Sequence, residues 1–397
     1  MSFGAASSPS VRTSQEAEGA VPRMRVLHVV ASGDMRGGSV FASDLVKWMS
    51  KENVTQRVAV LRSSGRTEVS FHAPTELLGP DTRRLPGLRV SLTNLGALRS
   101  LIKRWNADVI QVHGGEPMKY VLSAAPWHTP IVYRRIGAAP AWITKGVQRQ
   151  THGFLMRRAS CVVAVAEAIR QEAIRLFGVS PRRVVTIPNA VDSSRLLVEK
   201  GRDATRDALG IPRDAPVSLS LAALTWEKDP LGHVDIADRV LRDEPSAIHV
   251  IVGDGPMRAE IHNAIRVRGL EGRVLSVGRR SDIADLLTAS DVLVFASRSD
   301  GMEGMPASVI EAGMLGVPTA AYAIVGVPEV VIDGTTGLLV PPGDRRALAR
   351  RVLELIRDEE ARRSMGERAR ERCCSLFDMR TVGPAYLDLY RNLVRTR

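Results

Sequence analysis

Aromatic residues are scarce in this 397-residue chain, at 4% of the total. So thin a supply argues against the stacking platforms that hold single-stranded nucleic acid. Cysteine is scarcer still: Cys161, Cys373 and Cys374 form no CxxC pair and stand at no metal-ligand spacing with histidine. That argues against a disulfide framework and the common zinc sites, and leaves buried or idle thiols in a reducing compartment. No apolar run approaches the ~18 residues of a membrane span. Residues 1–23 carry Ser, Gly, Ala and Pro without an apolar h-region, so they read as a disordered tail and not as a signal peptide. No zinc-finger, helix-turn-helix or RNA-recognition signature is present, and no nucleic-acid partner is expected. The expected location is the cytoplasm.

What the chain does contain is an ordinary globular supply of residues, 44% hydrophobic and 25% charged, and enough length for two to three domains. Its net charge of +12 is lopsided. Residues 1–196 hold 27 Lys+Arg against 13 Asp+Glu, whereas residues 197–397 hold 28 against 30. Basic clusters fall at Arg83-Arg84, Lys103-Arg104, Arg134-Arg135, Lys145–Arg149 and Arg157-Arg158. They are either solvated faces with a bias toward arginine, or a surface that meets an anionic membrane or an acidic acceptor.

Short apolar runs alternate with helical stretches throughout. Arg25–Val30 leads into a glycine turn, Gly37-Gly38, and a helix from about Val40 to Met49; strand, glycine turn and helix open a doubly wound α/β domain. Strands are expected at Arg57–Leu61, Asp108–Val112, Pro130–Tyr133, Cys161–Val165 and Val184–Ile187. The rhythm pauses over a charged stretch, Glu199–Asp214, and a linker is placed around residues 190–212. It then restarts with strands at Val217–Ala222, Ala247–Val252, Arg273–Val277, Val292–Phe295, Pro318–Ala321 and Gly337–Val340. The fold expected is α/β, with two doubly wound parallel-sheet domains facing across a cleft: residues 24–195, residues 196–378, and a last helix over about 379–397 packing back onto the first.

The segment Ser297–Glu311 carries the strongest chemical signal. A buried strand precedes it, a helix follows with Pro306 at its first turn, and free amides at a helix start favour phosphate oxygens. Glu303 and Glu311 could each accept two hydroxyl hydrogen bonds from a vicinal diol, or could be ordinary acidic residues near a helix start.

Glu303 and Glu311, with seven residues between them and Gly304-Met-Pro306 after the first, resemble the E-x7-E signature of retaining glycosyltransferases of family 4, which have the GT-B fold. Gly253-Asp-Gly-Pro256, Gly278, Gly316-Val-Pro318, Gly326-Val-Pro-Glu329, Asp333–Gly337 and Pro341–Asp344 stand in the order such enzymes show. In the first half Gly37-Gly38, Asp108–His113 and Ile187–Asp192 also match, so the resemblance covers nearly all of residues 24–395.

The resemblance implies that Glu303 contacts the transferred sugar, with Gly304, Met305 and Ala307 holding it through backbone groups. Glu311 would bind the ribose diol, and Lys228 would neutralise the diphosphate. His113 would lie beside the reacting centre, and Gly37 and Gly38 would let acceptor and phosphate approach the backbone. Outside that context His113 and Lys228 read as a satisfied strand-end histidine and a surface lysine. The implied reaction moves a sugar from a UDP- or GDP-linked donor to a carbohydrate, glycolipid or small-molecule acceptor, with retention and without a cofactor or metal. Ala223 departs from the pattern, where such enzymes often carry arginine; Arg279, Arg280 and Arg298 are the candidates to replace that charge. A phosphorylase would need a lysine for pyridoxal phosphate, and none is singled out. A silent nucleotide-sugar-binding scaffold and a natural-product enzyme with a soluble acceptor are the remaining alternatives.

Overall fold

The computed structural model describes residues 24–35, 37–63, 69–79 and 90–396; the tail over residues 1–23 and the basic pair Arg83-Arg84 lie outside them. Among these residues two parallel sheets account for all named strands. The first contains β1 (Met24–Ser32), β2 (Val54–Arg62), β3 (Thr75–Leu77), β4 (Val109–His113), β5 (Ile131–Arg135), β6 (Cys161–Ala164) and β7 (Val184–Thr186), in the order β3-β2-β1-β4-β5-β6-β7. The second contains β8 (Val217–Leu221), β9 (Ile248–Val252), β10 (Val274–Gly278), β11 (Val292–Phe295), β12 (Thr319–Tyr322) and β13 (Gly337–Val340), in the order β10-β9-β8-β11-β12-β13. Strands such as β4, β9 and β11 are buried along their whole length, which is why they read as mainly apolar runs, with Gln111, His113 and His249 as buried polar exceptions.

Helices cover both sheets. The first half supplies α1 (Gly37–Met49), α2 (Leu92–Trp105), α3 (Gly115–Ala124), α4 (Gly146–Arg158) and α5 (Glu167–Arg175). The second supplies α6 (Arg202–Leu209), α7 (Pro230–Asp243), α8 (Arg258–Val267), α9 (Ile283–Thr288), α10 (Ala307–Met314), α11 (Val327–Val330), α12 (Arg345–Arg357), α13 (Glu359–Leu376) and α14 (Met379–Arg395). No described helix is long and apolar enough to cross a membrane.

The chain passes between the two sheets twice, and the two passages pair with each other. Val191 donates to the Phe377 carbonyl at 2.9 Å and accepts from the Met379 amide at 3.0 Å. After the second passage α14 returns to the first domain, where Tyr390 donates to Gln111 on β4 at 2.7 Å. Gly383 lets that helix lie directly on the Trp48 ring.

The charged stretch 199–214 is not a free linker. The amides of Glu199, Lys200 and Gly201 all bond to the Asp285 carboxylate, and α6 follows at once. Arg206 is fully buried there, reaching the carbonyls of Ala289, Arg213 and Ala215 and the Asp291 carboxylate. These hydrogen bonds hold its charge inside the fold.

Candidate functional site

In each sheet the strand order reverses at one central strand. β1 lies between β2 and β4, and β8 lies between β9 and β11. Crossover helices leave in opposite directions at such a point, and a crevice opens beyond the carboxyl ends of the strands. The residues singled out from the sequence sit at these two places. Gly37 and Gly38 open α1 after β1, and His113 ends β4. Lys228 closes a 3-10 turn, Trp226–Lys228, after β8, and Glu303 stands in the loop after β11.

On the second-domain side Lys228 and Glu303 form an ion pair. The turn bearing Lys228 is held from behind. Asp229 adopts a left-handed conformation, with φ 46°, and accepts from the Gly232 amide to cap α7. Arg345 on α12 ties Asp229 to Asp235. His233, buried in α7, bonds Ser220 at 2.6 Å, and Ser220 bonds His249 at 3.0 Å. Burial holds His233 down to about 4 and His249 to about 3.

Pro306 is extended and stands just ahead of α10, one position earlier than the first-turn placement read from the sequence, and no side chain caps the helix. The first amides of α10, beginning with Ala307, therefore lack helical partners, and the helix dipole adds to their attraction for an anion. Glu311, one turn in, is buried and accepts from Arg195 at 2.6 Å. The same guanidinium lies 3.2 Å from Asp44 on α1. Burial works against the Arg195 charge, but Glu311 and Asp44 outweigh it and hold the group above its ordinary value. Burial pushes the Asp44 carboxyl up to about 6 against the pull of Arg195.

The two halves touch around Ile136, just after β5. Its carbonyl lies where a Cβ on Gly304 would fall, and the Met302 carbonyl faces Gly137 just as closely. Only glycine permits two backbones to pass at that separation. Ala138 donates to the Glu303 carbonyl at 3.0 Å. The Ile136 side chain reaches within 3.5 Å of the Cβ position of Gly38 and 3.6 Å of that of Gly114. Asn189 completes the contact, accepting from Arg134 at 2.7 Å and donating to the carbonyl of buried Met305 at 2.9 Å. Gly38, the neighbour of His113, Gly304 and Met305 are thus brought to one place.

His113 is buried, with Nε2 3.2 Å from Nδ1 of His28 and no partner for its own Nδ1 among the described residues. The sequence reading did not single out Arg195, His28, Gln56 or Ile136. His28 offered a signal, a polar residue inside an apolar strand. Arg195 and Ile136 offered none, because their importance is a matter of contact across the cleft.

Two of the arginines considered as replacements at Ala223 are engaged elsewhere. Arg280 is paired with Asp282 at 2.6 Å. Arg298 is paired with Asp300 at 3.0 Å and stacks on Trp226. Neither they nor Arg279 line the small hollow beside Ala223, which Leu224, Lys228, Pro230 and His233 enclose.

Comparison with known proteins gives a consistent result. A family model described as Glycosyltransferase Family 4 matches residues 35–195, and one described as Glycosyl transferases group 1 matches residues 201–372. The D-inositol 3-phosphate glycosyltransferase of Kineococcus radiotolerans is 28% identical over 409 residues, covering 92% of each chain. The N-acetyl-alpha-D-glucosaminyl L-malate synthase of Bacillus anthracis is 27% identical over 243 residues, a match to 61% of this chain and 62% of that one. Among solved structures, Anabaena HepE in complex with UDP-glucose superposes with a TM-score of 0.78 at 21% identity, covering 93% of this chain and 100% of that one.

Proposed function

Because the chain belongs to the family-4 glycosyltransferases, we propose that it moves a hexose-type sugar from a nucleoside diphosphate sugar, UDP- or GDP-linked, to an acceptor hydroxyl with retention of anomeric configuration. The observation that carries this reading is the convergence at the second switch point. Lys228, Glu303 and the uncapped start of α10 stand together there, with Glu311 one turn further on. The diphosphate would meet the α10 amides and draw Lys228 from Glu303, leaving that carboxylate to the sugar hydroxyls. Glu311 would exchange Arg195 for the ribose diol. In this reading the backbone amides of Gly304, Met305 and Ala307 would help hold the sugar, the carbonyls of Gly304 and Met305 being taken by Gly326 and Asn189.

As the anomeric carbon–oxygen bond to phosphate breaks, positive charge develops on the sugar and negative charge on the departing diphosphate. A fixed cation and helix amides stabilise that departing charge in a protected cleft, a task Lys228 can perform without a metal ion. The acceptor oxygen attacks from the face the phosphate leaves, and its proton passes to the leaving phosphate oxygen. Glu303, whose carboxylate is already committed to Lys228 in the free protein, suits sugar positioning better than nucleophilic attack. Gly37, Gly38 and His113 close the site from the first domain.

A thermal-shift panel of UDP, GDP, ADP and their sugar conjugates tests the reading, beside Lys228→Ala and Glu311→Ala. Site binding at a hundredfold excess over Kd stabilises by about 2.7 kcal/mol. A shift with one nucleotide, lost in both variants, is expected, and HepE makes UDP-glucose the first donor to try. No shift with any of them would leave a silent scaffold, the reading that Ala223 favours.

The acceptor side points to an anionic membrane surface, and so to a lipid-linked or polysaccharide acceptor. Val147 and Phe154 on α4 are 76% and 62% exposed, and seven residues, about two turns, put them on one face. Trp142, 63% exposed, stands beside that helix against His152. Lys145, Arg149, Arg157 and Arg158 flank them, and no acidic residue occurs between Glu116 and Glu167. Apolar side chains ringed by cations fit an anionic lipid headgroup layer. Flotation with phosphatidylglycerol vesicles is expected to carry the protein at low salt and to lose it with Phe154→Glu. Indifference to both lipid charge and that substitution would leave a soluble acceptor.

A further inference from the structure

Two histidines are buried side by side beneath the first-domain half of the cleft. His28 on β1 and His113 at the end of β4 stack with ring centroids 5.5 Å apart, and Nδ1 of His28 lies 3.2 Å from Nε2 of His113. An imidazole nitrogen in such a contact either donates or accepts, and the distance alone does not say which.

The next link decides. Gln56 on β2 donates its amide Nε2 to the Val46 carbonyl at 3.0 Å. The reverse orientation would set two carbonyl oxygens against each other. Gln56 Oε1 is therefore the atom 3.1 Å from His28 Nε2, and because it can only accept, that nitrogen carries a proton. A neutral imidazole has one proton, so His28 Nδ1 is bare and accepts from His113 Nε2. The hydrogen bonds therefore all donate in one direction, from His113 to His28, from His28 to Gln56 and from Gln56 to the Val46 carbonyl.

Both rings are neutral in this setting. Burial holds His28 down at about 4, although Gln56 acts in the opposite direction. Burial, and then the neighbouring His28 and Arg134, hold His113 well below the usual imidazole range. With its proton on Nε2, His113 keeps a lone pair on Nδ1, a buried atom with no partner among the described residues. Arg134, the nearby cation, donates to Asn189 through Nη2 and lies over the Phe41 ring, and its own Nε is also buried without a partner among the described residues. A buried acceptor in a native fold calls for a donor.

We propose that His28 and Gln56 are positioning residues that lock His113 in the Nε2–H tautomer, so that its Nδ1 accepts a hydrogen bond from a substrate hydroxyl in the cleft. The proposal rests on the reading of His113 as part of the sugar site. It makes His113 an acceptor toward substrate and not a proton donor. It also makes the two residues behind it, neither of which meets substrate, determinants of that polarity.

The test is the tautomer itself. The full chain, labelled with 15N-histidine, gives two-bond proton–nitrogen correlations at pH 7, with His113→Asn identifying the His113 signals. The wild type is expected to show a protonated Nε2 and a bare Nδ1 on His113. His28→Gln, whose amide oxygen can accept the same proton, should keep that pattern, and His28→Phe should give a mixture of tautomers. With UDP-glucose as the probe donor, kcat/KM should fall about tenfold in His28→Phe, chiefly through kcat, and recover in His28→Gln. A proton on Nδ1 of wild-type His113, or a tautomer indifferent to His28→Phe, overturns the proposal. The wild-type spectrum decides even if the Phe variant folds poorly. A chain that leaves UDP-glucose untouched counts against that donor, while the spectrum still judges the relay.

Discussion

At the scale of single residues, the glycines separate what the fold requires from what a ligand requires. A Cβ on Gly37 would meet nothing within 4 Å, and one on Gly38 only the tip of Ile136. The folded chain itself makes no demand for glycine at Gly37. Gly304 is the opposite case, pressed against the Ile136 carbonyl. Gly37→Ala is therefore expected to leave stability within about 1 kcal/mol of the parent while lowering kcat/KM. Gly304→Ala is expected to cost about 1–3 kcal/mol through enforced separation of two backbones. Thermal melting and donor consumption on both variants check this, and a strongly destabilised Gly37→Ala would contradict it. The chemistry at Glu303, Glu311 and Lys228 was legible as a pattern of residue types. Arg195 was not, because nothing in its neighbourhood along the chain reveals that it bonds to both Glu311 and Asp44.

At the scale of elements, most strands of both sheets could be read to within a residue or two because they are buried on both faces and dominated by apolar residues; β2 begins at Val54, three residues before the start read from the sequence. Only β3 escaped, a three-residue edge strand with alternate residues exposed. Helices that bury little were harder. α4 buries only Gly153 and Met156, and α13 buries Gly366, Ala369 and Cys373 in eighteen residues; neither offers a broad apolar stripe. α6 was concealed by its charge, although that charge is what anchors it. Arg206→Ala is expected to cost about 3–5 kcal/mol, since it strips Asp291 of a buried partner and leaves three carbonyls short of a donor. Arg202→Ala, which removes a half-exposed partner of the same aspartate, should cost about 1 kcal/mol or less. Urea unfolding of the two variants gives the comparison, and equal losses would place Arg206 outside the core of the element.

At the scale of the whole molecule, buried histidines set the response to acid. His28 and His233 are held at about 4 and His249 at about 3, all by burial, with His113 also well below its ordinary value. The unfolded chain takes up protons on these rings below about pH 6.5, whereas the folded chain leaves them neutral until about pH 4. Stability is therefore lost as pH falls through that interval. Asp44 runs the other way: burial raises its carboxyl to about 6, so the folded form binds that proton first and gains stability over part of the same range. Burial raises the Glu329 carboxyl as well, yet four rings against these two carboxyls give a net fall in Tm between pH 6.5 and 4.5, measurable by calorimetry; a flat profile would show the rings to be solvated. The sequence by itself determined the two parallel sheets and the residue types at their carboxyl ends, because burial on both faces and glycine-rich turns write themselves into local pattern. Only the tertiary structure decided which of those residues meet. Ile136 against Gly304, Arg195 between Asp44 and Glu311, and His113 behind His28 are contacts between segments far apart in the chain. Packing across two domains selects them, and no local periodicity records that choice.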